Sequence, residues 1–176
     1  MPAPAVELGP IFCMTSKEFK IPKLLLKAVA MTESSLNPRA YRYEEGFWLK
    51  YMKDKPEWAH RDPKEVSASY GLMQVLYSTA AMFGFNGPGE DLYNPVYNIK
   101  IGAMVLRARI NEVEKNNTHI RFGLWSISIA LARYNGGNYK NPDEDGKLRN
   151  DEYVKKVMKY WYSLRAQEKD TCYDYD

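Results

Sequence analysis

The segment from Lys23 to Ser35 reads KLLLKAVAMTESS and predicts the central helix of the chain. Residues three and four apart are neighbours on a helix, so Leu26, Ala30 and Glu33 share a face. A helix that is apolar on nearly all sides is usually buried. The pattern thus predicts an acid at the inner end of a core helix, where desolvation favours the protonated form that a general acid needs. The alternative is a solvated glutamate at a frayed helix end.

The length and composition predict one domain over residues 1–176 with a substantial core. Fourteen tyrosines and four tryptophans serve core packing, and they also suit a groove that binds sugars or peptides. The net charge of +3 is spread along the chain, which argues against a nucleic-acid surface. No run approaches a transmembrane length, so we expect no stable membrane insertion. We expect a monomer.

Two cysteines, Cys13 and Cys172, lie near opposite ends of the sequence. They can form a disulfide only if the two ends meet, and two free thiols fit the sequence equally well. The two histidines form no cluster with metal-ligand spacing, so neither a metal nor a cofactor is expected. The first residues lack a basic start followed by a sustained apolar core, so no signal peptide is predicted within them.

Most of the chain is predicted to be α-helical, because no long run alternates with period two. Residues 1–16 are interpreted as an irregular arm with Ser16 capping a short turn, and residues 169–176 as a tail. Residues 41–66 are interpreted as a surface insertion beside a groove, whose aromatic rings either extend a sugar platform or pack into the core. Helices are predicted from Pro22 to near Asn37-Pro38, and then over 45–53, 78–83, 94–115, 120–134 and from 150 or 151.

Four short motifs stand out by their order along the chain. They are Glu33-Ser34, Gly71-Leu-Met-Gln74, Ala132-Arg-Tyr134-Asn135-Gly-Gly137 and Tyr153-Val-Lys-Lys-Val157. Each alone is compatible with an ordinary helix end or core position. In this order they resemble the catalytic domain of the soluble lytic transglycosylases, which has a goose-type lysozyme-like fold. The resemblance spans roughly residues 20 to 162, and it includes blocks at 30–38, 69–80, 92–102 and 130–137.

This resemblance implies a mainly α, lysozyme-like helical domain with a substrate groove that holds peptidoglycan glycan strands. The implied reaction cleaves the β-1,4 bond from N-acetylmuramic acid to N-acetylglucosamine and leaves a 1,6-anhydro end. Glycoside hydrolysis ordinarily needs two carboxyl groups. One carboxyl, Glu33, suffices as acid and then base when the muramoyl C6 hydroxyl attacks C1. The implied location is the periplasm or cell envelope. The resemblance also fits a protein that a phage encodes.

The resemblance also implies roles for the residues around the acid. Tyr134 would hydrogen-bond Glu33 or the sugar, and Tyr153 would lie near Tyr134. Met73 and Gln74 would line the groove. Three site candidates remain. Ser34 would support the end of its helix, Asn135 would support the local turn after the helix predicted over 120–134, and Ser69 would substitute for the family serine.

Some positions depart from the family pattern, and they keep alternatives open. Arg42 occupies the place of the serine often found about nine residues after the glutamate, and Arg133, Asn94 and Leu76 are also unusual. One alternative is a goose-type hydrolysing lysozyme, which needs a second acid from among four candidates: Glu44, Glu45, Glu65 and Asp91. The other is a catalytically weak, wall-binding assembly component of a phage or secretion system.

Overall fold

The computed structural model describes residues 6–116, 123–136, 148–169 and 172. This part of the chain is mainly helical, as predicted, with eight α-helices, one π-helical turn at Trp48–Met52, two 3₁₀ turns and a small sheet. The helices are α1 Leu8–Phe19, α2 Lys23–Ser34, α3 Glu45–Phe47, α4 Pro63–Val66, α5 Tyr77–Met82, α6 Pro95–Asn116, α7 Leu124–Gly136 and α8 Asp151–Gln167.

Helix α2 lies at the centre of the core, and α1 and α8 pack against it. Six of its residues between Leu24 and Ala30 are fully buried, which matches the apolar pattern of the segment. The helix ends at Ser34, earlier than predicted, because Ser35 and Leu36 adopt left-handed backbone conformations with φ of 54° and 63°. Their N–H groups donate to the carbonyls of the last turn, which closes the helix one residue after Glu33.

The predicted irregular arm over residues 1–16 is wrong from Leu8 onward, because α1 begins there. Pro10 lies in the first turn of α1, where its missing N–H leaves no intrahelical bond unmade. Ile11 and Phe12 face the core, and Ser16 is buried within the helix rather than capping a turn. Gly9 and Pro10, which suggested irregular structure, are therefore compatible with a helix start.

A three-stranded antiparallel sheet lies beside the helices, with the order β1-β2-β3. The strands are β1 Tyr41–Tyr43, β2 Ala68–Tyr70 and β3 Val75–Leu76. Ser69 pairs with Arg42 on one side and with Leu76 on the other. The predicted insertion over 41–66 thus begins as an edge strand of this sheet and returns through α4. Strands of two or three residues are too short to show a period-two pattern.

The second half of the fold is helical. Helix α6 packs against α1 and α7, and α8 packs along α2. The predicted helix over 120–134 is present from Leu124, and its first residues lie outside the described part of the chain, as does the predicted tail apart from Lys169 and Cys172. A disulfide joins Cys172 to Cys13 of α1, so the two ends of the chain do meet. Among the described helices, none combines the length and apolar character needed to cross a bilayer.

Candidate active site

A cleft of about 590 Å³ opens between the sheet, the insertion and the ends of three helices. Glu33 reaches it from the last turn of α2, and Tyr134 and Asn135 reach it from the end of α7. The sheet contributes polar and apolar residues to the cleft, and the insertion, α5 and α6 contribute further walls. The lining residues from these elements are Arg42, Glu44, Phe47, Tyr51, Lys55, Ser69, Gln74, Val75, Leu76, Thr79, Met82, Phe83, Val105 and Arg109.

Glu33 is the acid that the fold desolvates. Its side chain is half-buried, and Oε1 accepts a 2.7 Å hydrogen bond from the Tyr153 hydroxyl of α8. Burial raises the pKa of Glu33 from its ordinary value of 4.5 to about 7, and the Tyr153 hydrogen bond and the positive charge of Arg42 oppose that rise. The protonated and ionised forms are therefore both populated at neutral pH, which suits a group that gives and then takes a proton.

Tyr134 does not make the hydrogen bond to Glu33 that was one of its two predicted roles. The Tyr134 hydroxyl donates to the Met73 carbonyl oxygen at 2.9 Å, whereas the hydroxyl that reaches Glu33 belongs to Tyr153. Burial raises the pKa of both phenols well above the ordinary value, so both remain hydrogen-bond donors at any physiological pH. Tyr134 thus holds the loop beside the acid, and Tyr153 holds the acid itself.

The predicted role of Met73 in lining the groove is wrong, because its side chain is fully buried. It packs against Gly102 of α6 so closely that a Cβ there would lie 2.7 Å from the Met73 sulfur. The backbone of Met73 does contribute to the site, since its carbonyl accepts the Tyr134 hydrogen bond. Gln74 lines the cleft in a left-handed conformation with φ of 45°, and its Nε2 donates to the carbonyls of Gly71 and Ala40.

Asn98 of α6 organises this loop, although the sequence pattern alone gave it no role. It is fully buried, and its side chain makes three hydrogen bonds. Its Oδ1 accepts from the Met73 N–H at 2.8 Å, and its Nδ2 donates to the carbonyls of Tyr70 and Leu92 at 2.7 and 2.8 Å. A polar residue within the apolar stripe of a predicted helix is the signal that could have identified it.

Ser34 and Ser69 make different contacts. The Ser34 hydroxyl lies within hydrogen-bonding distance of the carbonyl oxygens of Ala30 and Leu72, at 3.1 and 2.8 Å, and so links the end of α2 to the loop. The Ser69 hydroxyl donates to Oε1 of Glu44 at 3.3 Å. Asn135 is exposed and lines the cleft.

Glu44 is the second carboxyl group that lines the cleft. Its Oε1 also accepts from Nε of Arg42 at 2.6 Å, so an ion pair neutralises it. Of the other three candidate second acids, Glu65 is held by Arg61 and the Gly89 N–H. Glu45 and Asp91 are exposed and do not line the cleft. Over the residues that the structure describes, no group of acids, histidines and cysteines could hold a metal ion.

The insertion contributes to the cleft through part of its surface. Phe47 lines the cleft and also packs against the core, and Trp48 and Trp58 pack against the core without lining the cleft. Tyr51 and Lys55, which the sequence reasoning did not single out, line it as well. The insertion between β1 and β2 therefore forms one wall of the site.

Comparison with known proteins identifies the family. No curated protein matches the chain. The family model described as the transglycosylase SLT domain matches residues 10–156, which is most of the chain and includes every residue of the site described above from Glu33 to Tyr153. SLT domains act on peptidoglycan in the cell envelope. The chain therefore belongs to the SLT transglycosylase family of the lysozyme-like superfamily.

Proposed function

We propose that this protein is a peptidoglycan lytic transglycosylase that cleaves the bond from N-acetylmuramic acid to N-acetylglucosamine and forms 1,6-anhydro-N-acetylmuramic acid. Glu33 protonates the glycosidic oxygen as the bond to C1 breaks, which releases the N-acetylglucosamine hydroxyl. The Glu33 carboxylate then takes the proton of the muramoyl C6 hydroxyl as that oxygen bonds to C1. Glu33 ends protonated, so one carboxyl group completes the cycle and water is not consumed.

The observation that carries this proposal is the raised pKa of the Glu33 carboxyl group. Its pKa of about 7 allows either proton transfer at neutral pH without a second titrating group. The Tyr153 hydrogen bond uses Oε1, which leaves Oε2 for the substrate. An attacking hydroxyl that belongs to the substrate also avoids the entropy of bringing in a separate nucleophile.

A hydrolysing lysozyme is the second candidate, because Glu44 lines the same cleft and could act on a water molecule. Two observations favour the lyase over this candidate. The Glu44 carboxylate is engaged through Oε1 by both Arg42 and Ser69. Oε1 of Glu44 already accepts from these two donors, which leaves only Oε2 to accept a proton from a water molecule.

Mass spectrometry of the products from purified peptidoglycan distinguishes the two reactions. We expect muropeptides that are lighter by about 18 Da than the hydrolytic products, because the anhydro ring forms without water. Glu44→Gln should leave this product unchanged. If the wild type produced reducing ends and Glu44→Gln did not, the reaction would be hydrolysis instead.

Turbidity clearing of cell walls tests whether the protein is an enzyme or a wall-binding assembly component. We expect the wild type to clear the suspension and Glu33→Gln to be slower by about a hundredfold or more, since the amide keeps the shape but has no transferable proton. A wild type that binds walls without clearing them would support the assembly component.

We also propose that the protein acts as a monomer in the periplasm or envelope, or is delivered there by a phage that encodes it. The Cys13–Cys172 disulfide supports this location, because disulfides persist in oxidising compartments. Sedimentation of the purified protein tests the monomer. Trapping of free thiols in intact cells tests whether the disulfide forms there.

A further inference from the structure

The wall that the insertion contributes to the cleft has its own chemical character. Three residues of this wall line the cleft at a spacing of four: Phe47 in α3, Tyr51 in the π-helical turn and Lys55 after the turn that follows. The helical spacing places Phe47 and Tyr51 on one face, and Lys55 follows the turn in an extended conformation. Lys53, between them in sequence, is exposed and does not line the cleft. The wall therefore presents two aromatic rings followed by one ammonium group.

The aromatic part of this wall is accessible and carries positive charge. The rings of Phe47 and Tyr51 lie with their centroids 5.1 Å apart, and Tyr51 is 43% exposed. Nζ of Lys50 lies 5.0 Å from the centre of the Tyr51 ring, and Lys55 follows Tyr51 by four residues. An aromatic surface beside ammonium groups suits a ligand with short apolar groups and carboxylates.

Lys55 is the cation of the cleft that has no ion-pair partner among the described residues. The other two cations in the lining are neutralised locally. Arg42 is paired with Glu44 at 2.6 Å, and Arg109 is paired with Glu112 at 2.9 Å. Once Glu33 is protonated, the excess charge among the described lining residues is positive and lies at the insertion wall. An anionic group of the bound polymer would be attracted there.

Helix α5 adds apolar surface to the cleft. Met82 is 84% exposed at the end of α5, and Phe83 beside it lines the cleft as well. An exposed, flexible methionine in a cleft is typical of a surface that adapts to an irregular apolar ligand. The glycan is polar and uncharged except at its muramoyl substituents. The part of a peptidoglycan strand that combines methyl groups with carboxylates is the short acidic peptide on the muramoyl lactyl group.

We propose that Phe47, Tyr51, Lys55 and Met82 form a subsite for this acidic stem peptide, with Lys55 pairing with a peptide carboxylate. The proposal rests on the proposed function, because it needs a peptidoglycan strand in the cleft. The subsite makes the protein prefer strands that carry peptides over strands from which the peptides have been removed. The insertion between β1 and β2 thereby selects the substrate without contributing to the proton transfers.

Binding to two matched polymers tests the subsite. One is uncross-linked glycan strands with their stem peptides, and the other is the same strands after an amidase has removed the peptides. Dissociation constants are measured in a Glu33→Gln background, so cleavage does not interfere. We expect Lys55→Gln to weaken binding of the peptide-bearing strands by about threefold, in the range of a solvent-accessible ion pair. It should not change binding of the stripped strands. The loss should shrink in high salt.

Lys53→Gln is the matched control, because it removes the same charge two residues away on the exposed side of the same segment. It should leave both dissociation constants unchanged. An equal effect of Lys55→Gln on both polymers, or no effect on either, would overturn the subsite. Products of the wild type are measured separately, so reducing ends in place of anhydro ends would refute the proposed reaction and leave the binding result standing.

Discussion

Replacing Glu33 by glutamine should stabilise the protein at alkaline pH while it removes activity. In the unfolded chain the carboxyl titrates near its ordinary value of 4.5, and in the folded protein near 7. Between these values the folded state binds more protons than the unfolded state. The free energy of unfolding of the wild type must therefore fall as pH rises through this window, and the loss is complete above the folded pKa. The glutamine variant has no such proton to lose.

The interval from 4.5 to about 7 sets the size of the effect. Each pKa unit is worth about 1.4 kcal/mol, so the stability of the variant relative to wild type should rise by about 3 kcal/mol between pH 4 and pH 8.5. The Tyr153 hydroxyl can still donate to the amide oxygen of the glutamine, so this contact survives the change. Most of the difference thus reports the desolvation of a charge rather than a lost hydrogen bond.

Urea unfolding followed by far-ultraviolet circular dichroism, with the disulfide intact, measures this difference at a series of pH values. Glu45→Gln is the control, because its carboxylate is exposed beside the same cleft. A stability difference between Glu33→Gln and wild type that stays constant from pH 4 to pH 8.5 would refute the reasoning. It would mean that Glu33 is solvated in the folded protein, and the proposed acid–base cycle would lose its physical basis.

Three further changes have distinct signatures. Tyr153→Phe removes a hydrogen bond that lowers the pKa of Glu33, so the alkaline limb of the pH–rate profile should move to higher pH while the maximal rate falls. Replacing Cys13 and Cys172 together by serine should lower the free energy of unfolding by about 2–4 kcal/mol, measured in urea, because the bridge closes a loop of 159 residues. Asn98→Ala should cost about 3 kcal/mol or more in the same measurement, because it leaves buried donors and acceptors unpaired.

Each of these expectations can fail in a specific way. An unchanged alkaline limb in Tyr153→Phe would indicate that the phenol does not influence the acid in solution. A double serine variant as stable as wild type would indicate that the two chain ends are held by packing alone. Little loss in Asn98→Ala would mean that water replaces the missing amide.

The helical architecture was predictable where an apolar pattern persists over several turns. Helix α2 and its inward acid follow from the repeat around Leu26, Ala30 and Glu33, and α6 begins at the predicted Asn94-Pro95. Helix α1 was missed because a proline in the first turn resembles a break in the sequence, although it removes no helical hydrogen bond there.

The detailed geometry of the site was less predictable, because it depends on contacts between distant segments. The sequence motifs predicted that Met73, Tyr134 and Tyr153 lie near Glu33. They could not show which of the two tyrosine hydroxyls hydrogen-bonds to the acid. Met73 turns inward because Gly102 leaves room for it on α6, and nothing local to residue 73 reveals that space. The small sheet was missed for the same reason, since its strands are recognisable only by their pairing.

The hydrogen bond between Tyr153 and Glu33 joins residues that are 120 positions apart, so it forms only after α8 has been synthesised and has docked on α2. A nascent chain that still lacks α8 contains the acid without its phenol and without the helix that buries it. Its glutamate is an ordinary carboxylate, ionised in the cytosol. The arrangement proposed for catalysis therefore arises only in molecules in which α8 has been synthesised and has packed on α2.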